Sequence, residues 1–211
     1  MASKNSNSQT ISKIFKSRKI FLKHANSKGF DISEYNNFSI NEIASLYANK
    51  QLDLLLVNPD TNKKTYFKYH LGTKIRKNHI YDYIEDLFNI EEIVSEEDDL
   101  IIITKERLND NLTNFLDILY KKDKYYINVY NYNDFIYDIL DNELVPPHRV
   151  ISNEEKEELK KKFNIVKDNQ FPEISRFDPV SIVFCIRPGQ VFEIIRSSPT
   201  SLQTKYYRLC I

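Results

Sequence analysis

Apolar residues recur along this chain with two periods, and the switches between them mark out its elements. Ile11, Ile14, Phe15, Leu22 and Ala25 fall on one side of a helix that ends near Gly29. Ser39-Ile40-Asn41-Glu42 has the spacing of a capping box and opens a second helix whose apolar side is Ile40, Ile43, Ala44 and Tyr47. Leu52 to Val57 is a continuous apolar run of strand length, closed by Asn58-Pro59-Asp60. Thr65 to Leu71 alternates and reads as its hairpin partner. The 3.6-residue period returns over 75–88 with Ile80, Tyr83, Ile84, Leu87 and Phe88, and again with Leu108, Leu112, Phe115, Leu116 and Leu119. Leu100–Ile103 and Tyr125–Tyr130 read as buried strands. This order predicts a mixed α/β domain over 10–140, preceded by a Ser/Asn-rich segment, 1–9, expected to be disordered.

Beyond residue 140 the pattern changes. Pro146-Pro147 fits neither a helix interior nor a central strand, so the backbone passes there as an extended connector. Ser152-Asn153-Glu154-Glu155 is a further capping box, starting a charged helix with Leu159 and Phe163 as its apolar contact. Gln170-Phe171-Pro172 and Asp178-Pro179 are read as helix stops. Ser181–Ile186 then reads as a strand, Arg187-Pro188-Gly189-Gln190 as a type II turn, Val191–Arg196 as the returning strand and Lys205–Ile211 as a third. The expected second domain, 141–211, is a small α+β unit, which makes the whole chain α+β, or mixed α/β.

Composition narrows the function classes. Thirty basic and thirty acidic residues cancel, so any nucleic-acid contact has to come from a local patch. One such patch is Lys63, Lys64, Lys68, Lys74, Arg76 and Lys77, a span without an acid. The stretch from Asp82 to Asp99 is the reverse, nine acids and no base, and is expected to face solvent or a basic partner. Lys13, Lys16, Arg18, Lys19 and Lys23 give the first helix a basic side, read here as a solvated face. Cys185 and Cys210 fall at alternating strand positions as buried thiols. His24, His70, His79 and His148 are too scattered for zinc. No window is apolar enough to span a bilayer or to serve as a signal peptide, which predicts an intracellular protein without membrane contact.

Catalytic constellations are broken. Asp60 before a strand and Lys68 on the next one invite a nuclease reading, but Tyr66 stands where the second carboxylate must hold the metal. Three glycines cannot build a phosphate loop, no serine sits in a nucleophile elbow, and His148 lies in a connector. No cofactor and no small-molecule substrate are expected.

An ordered set of residues in the last third carries a resemblance. Leu144-Val145-Pro146, His148, Ser152-Asn153-Glu154-Glu155, Gln170-Phe171-Pro172, Asp178-Pro179-Val180, Gly189-Gln190-Val191, Ile194-Ile195-Arg196 and Tyr207-Arg208 follow in register. Together they resemble the C-terminal assembly domain of the fifth shared subunit of eukaryotic RNA polymerases and of its archaeal counterpart. Cys185 departs from that family, which usually has glycine there; Pro199 and Leu202 stand where it usually has glutamate and glycine.

The resemblance implies a non-catalytic subunit of a DNA-directed RNA polymerase. Its C-terminal domain would pack on the largest subunit, and an N-terminal jaw domain would project towards downstream double-stranded DNA. It implies Pro146, His148, Asp178, Pro179, Gly189, Arg196, Tyr207 and Arg208 as the anchoring set. For DNA phosphates the candidates are Lys63, Lys64, Lys74, Arg76, Lys77 and Lys105, the last from similarity of the Thr104-Lys105 segment to the jaw's DNA-side loop. The departures and the Asn/Lys/Ile/Tyr-rich composition point to a large-DNA-virus version, carried in the virion and host cytoplasm; a cellular version would be nuclear. The competing reading is a free-standing nucleic-acid-binding regulator.

Overall fold

A computed structural model describes residues 2–211 of the chain. The Cα trace divides into two compact units, Met1–Tyr137 and Asp138–Ile211. No helix among the described residues is long and apolar enough to cross a membrane.

The first unit follows the predicted order. Helix α1 (Ala2–Ser27) and α2 (Ile40–Ala48) precede strands β1 (Leu54–Val57) and β2 (Lys64–His70). Then come α3 (Lys77–Ile84), β3 (Asp99–Thr104), α4 (Asp110–Asp123) and β4 (Tyr126–Asn131). The sheet order is β1-β2-β3-β4, antiparallel at the first pair and parallel at the other two. Parallel strands flanked by crossover helices are covered on both faces, and β3 is accordingly buried at every position. α3 runs on into a π-helical turn, Glu85–Ile90, so the predicted single helix changes its hydrogen-bond register midway.

Three expectations change here. The segment 1–9, expected to be disordered, is helical from Ala2 onward. Extending a nucleated helix adds one hydrogen bond per residue fixed, and Ser and Asn are only weakly unfavourable in it. Met1 lies outside the described residues. Arg18 is buried rather than solvated: its Nη1 donates to the Leu52 carbonyl at 2.8 Å, and its guanidinium lies over the Tyr35 and Phe38 rings. Of the α2 face, Ile43 is buried but Ile40 is half exposed. The capping box forms as read, with Ser39 N donating to Glu42 at 2.6 Å and Glu42 N to Ser39 Oγ at 3.3 Å.

The second unit contains β5 (His148–Val150), α5 (Asn153–Phe163), β6 (Glu173–Ile174), α6 (Pro179–Phe184), β7 (Val191–Ser198) and β8 (Leu202–Cys210), with sheet order β5-β7-β8-β6. The main correction falls on the predicted strand Ser181–Ile186: Ser181–Phe184 belong to helix α6, and Cys185 and Ile186 leave it. Asp178-Pro179 starts that helix rather than stopping one. The Asp178 carboxylate accepts the Val180 N–H at 2.9 Å, and Pro179 occupies the first turn, where its missing N–H costs nothing. A short apolar run does not distinguish a buried strand from a buried helix; the cap does. Cys185 is thereby the C-cap of α6 in the left-handed region (φ 50°, ψ 40°), half-buried, and not a strand thiol.

The turn before β7 forms as read. Gly189 has φ +93°, and Gln190 N donates to the Arg187 carbonyl at 3.1 Å. α5 begins with its capping box, Ser152 N donating to Glu155 Oε2 at 2.9 Å. Its Leu159 packs on the core of Ile151, Phe171, Val191 and Leu209, while Phe163 stays mostly exposed beside the Tyr207 ring. The opposite sheet face packs Ile174, Ile186, Phe192, Ile194 and Cys210 beneath Phe184 of α6.

Candidate subunit interface

Register decides which anchoring candidates meet. In the β7–β8 hairpin Ile194 opposes Tyr206, Arg196 opposes Thr204 and Phe192 opposes Arg208, while β5 sets His148 against Ile194. Side chains alternate along a strand, so His148, Arg196, Tyr206 and Arg208 share one face and Tyr207 lies on the other. The guanidinium carbons of Arg196 and Arg208 lie 4.9 and 5.6 Å from the centre of the Tyr206 ring. No carboxylate lies within ion-pairing reach of either arginine among the described residues. The Arg208 Nε is buried without a hydrogen-bond partner.

His148 donates from Nδ1 to the Pro146 carbonyl at 2.5 Å. Burial holds its pKa below the ordinary 6.5; the Pro146 carbonyl and Asp178 oppose this, and the positive charges of Arg196 and Arg208 add to it. Beside this cluster runs a groove of about 630 Å³, walled by Glu143 to Pro147 and by Ile195, Arg196, Ser197, Leu202 and Gln203. Leu144 is 88% and Leu202 85% exposed.

The opposite face is electrostatically closed. Glu193 is buried there and takes Lys205 Nζ at 2.7 Å, Arg149 Nη2 at 2.8 Å and the Tyr207 hydroxyl at 3.2 Å. Its pKa is held down to about 2, chiefly by Lys205, with burial opposing and Arg149 and Tyr207 adding to the effect. Tyr207 therefore serves the internal network of the unit. Asp178 and Pro179 are the cap of α6. Gly189 holds the turn, its carbonyl accepting Lys156 Nζ at 2.9 Å.

The DNA candidates split between the two ends of β2, separated by about 20 Å at 3.3 Å per residue. At its start, Lys63 Nζ pairs with the buried Asp99 at 2.6 Å, and Lys64 Nζ donates to the Ile93 carbonyl at 3.0 Å. At the other end Lys74, Arg76, Lys77 and Lys105 are all exposed; Lys74 is 3.7 Å from Glu106, and Lys77 lies over the Phe115 ring. The acidic run is not uniformly solvated: Asp98 is buried and accepts from Lys64 N and Ser95 N. Lys68, the lysine of the broken nuclease pattern, is held in an internal contact, its Nζ 2.7 Å from Asp53.

Comparison with known proteins places the second unit. The family profile described as RNA polymerase Rpb5, C-terminal domain, matches residues 137–210. The DNA-directed RNA polymerase subunit Rpo5 of Thermococcus onnurineus (strain NA1) is 48% identical over 75 residues, which are 36% of this chain and 90% of that protein. The chain belongs to the Rpb5 family. The subunit RPABC1 of DNA-directed RNA polymerases I, II and III of Caenorhabditis elegans is 40% identical over 88 residues, 42% of this chain and 41% of that one. The subunit 5A of DNA-directed RNA polymerase V of Arabidopsis thaliana is similar over both units, 22% identical across 193 residues, 89% of this chain and 83% of that protein.

In this Rpb5-family chain the two departures from glycine have a shared geometry. Cys185 (φ 50°) and Leu202 (φ 58°) both sit in the left-handed region, where an L side chain is strained. Sequence reading missed Tyr206, Leu144 and Leu202 as parts of the face. Tyr206 was legible in principle, because it shares the parity of Arg196 and Arg208 whereas Tyr207 does not.

Proposed function

We propose that this chain is a non-catalytic structural subunit of a multisubunit DNA-directed RNA polymerase, attached to the largest subunit through the face that carries His148, Arg196, Tyr206 and Arg208. The observation that carries this reading is the 48% identity across nearly the whole length of an archaeal polymerase subunit, together with the family profile that matches residues 137–210, the stretch that presents this face. The buried, unpartnered Nε of Arg208 and the exposed Leu144 and Leu202 of the groove support it, because a docked partner would satisfy the first and cover the others. The N-terminal unit lines the downstream DNA channel, with Lys74, Arg76, Lys77 and Lys105 positioning the duplex through phosphates without reading sequence.

The chain resides wherever its polymerase does. The relatives named above come from cellular organisms, so the viral source expected from composition has no support among them. Affinity capture of a tagged full-length chain from its source, followed by mass spectrometry at rising salt, tests the reading. The large catalytic subunits should co-elute in stoichiometric amounts. A chain that elutes alone and retards DNA by itself in a gel shift is a free-standing binder instead.

A further inference from the structure

The chemistry of the docking face narrows what docks on it. Four observations converge. Two guanidiniums lie within cation–π distance of one tyrosine ring, one from each side along the strands, and neither has a carboxylate within ion-pairing reach among the described residues. The Arg208 Nε is buried and lacks a hydrogen-bond partner, which leaves a desolvated donor uncompensated unless a partner arrives. The Arg149 and Lys205 cations of the same hairpin region are already paired to Glu193, so the deficit belongs to this face. Finally, the edge of β7 is open. Pairing with β5 ends at His148 opposite Ile194, and the Pro147 carbonyl takes the Ile195 N–H as the last bond on that side, at 3.1 Å. Pro146 and Pro147 have no N–H to continue the ladder, so Arg196–Ser198 pair only with β8.

We infer that the occupant is an extended segment of another polymerase subunit, carrying Asp or Glu carboxylates that pair with Arg196 and with Arg208 and an aliphatic side chain that covers Leu144 and Leu202. This rests on the reading that the chain docks into a polymerase. The open edge supplies backbone groups to an extended chain, the guanidiniums supply bidentate donors to a carboxylate, and the groove supplies apolar contact. Phosphate would satisfy the arginines too. A nucleic-acid strand, however, finds no use for the apolar side chains of the groove wall, Leu144, Val145 and Leu202.

The test uses the full-length chain in the assembled enzyme. Arg196→Gln and Arg208→Gln, singly and together, should weaken incorporation against wild type by roughly 10- to 100-fold and reduce its sensitivity to salt, while Lys161→Gln on α5 changes neither. A photoreactive p-benzoylphenylalanine at the exposed groove residue Gln203 should cross-link to a peptide of another subunit that holds an Asp or Glu beside an aliphatic residue. If wild type captures no polymerase subunit, the docking reading itself fails. If wild type is incorporated but the arginine variants match it at every salt concentration, or the cross-link falls on nucleic acid, on a peptide without an acid, or on nothing, the carboxylate inference is overturned while docking stands. Should the double variant melt early, the exposed Arg196→Gln alone and the cross-link decide.

Discussion

Leu202→Gly is expected to make the protein more stable and its docking weaker at once. Leu202 adopts φ 58° at the start of β8, and its side chain is 85% exposed. An L residue in the left-handed region is strained by about 1–2 kcal/mol, which glycine relieves. Against this, glycine gives the unfolded chain extra freedom worth roughly 0.5–1 kcal/mol. The lost burial is small, because about a sixth of a leucine contribution of 1.5–3 kcal/mol is all that the exposed side chain supplies. The balance is a gain of about 0.5 kcal/mol, a rise in Tm of roughly 1–2 °C for a chain of this size. Leu202→Ala keeps the strained backbone and loses the same little burial, so it should be neutral or slightly destabilising. Urea titrations of the three proteins, followed by circular dichroism, separate the cases. A stabilised alanine variant, or a destabilised glycine variant, would refute the strain argument. Cys185→Gly relieves the same strain but removes a half-buried thiol, and should come out near zero.

The remaining predictions concern the cap, the buried carboxylate and the basic edge. Asp178→Ala should cost about 1 kcal/mol in thermal or urea unfolding by removing the α6 cap, whereas Asp178→Asn should be nearly silent. Glu193 has a folded pKa of about 2 against an ordinary 4.5, so its contribution is present above pH 4.5 and is lost as pH falls towards 2. Since Arg149 and Lys205 are more than half exposed, the loss should be on the order of 1–2 kcal/mol, and acid unfolding of Glu193→Gln should lack that step. Replacing Lys74, Lys77 and Lys105 by alanine should flatten the salt dependence of downstream-DNA binding by the whole polymerase, by about 0.9 in slope for each phosphate no longer neutralised. Replacing Lys63 and Lys64, which are held in internal contacts at the other end of β2, should leave the slope unchanged.

Local chemistry was legible wherever one residue pair decides the structure. Ser39 with Glu42 and Ser152 with Glu155 fixed two helix starts, and the unbroken apolar run Leu100–Ile103 announced a strand buried on both faces. Ser181–Ile186 failed because a short apolar run suits a buried helix as well as a strand, and Asp178-Pro179 can punctuate either end of a helix. Arg18 failed for another reason: nothing near it in sequence reveals that a carbonyl 34 residues away and two rings will enclose it. The basic candidates were close in sequence but β2 runs between them, so one cluster in the chain became two in space. The anchoring set divided along strand parity, which an alternation argument carried one step further would have separated.

Hydrogen exchange of the chain, free and within the assembled polymerase, tests the docking face most directly. Assembly is predicted to slow exchange at Leu144–Val145 and along the open edge of β7 around Arg196–Ser198, leaving the exposed surface of α5 unchanged. Protection centred on α5, with the β7 edge still exchanging as in the free chain, would contradict the account.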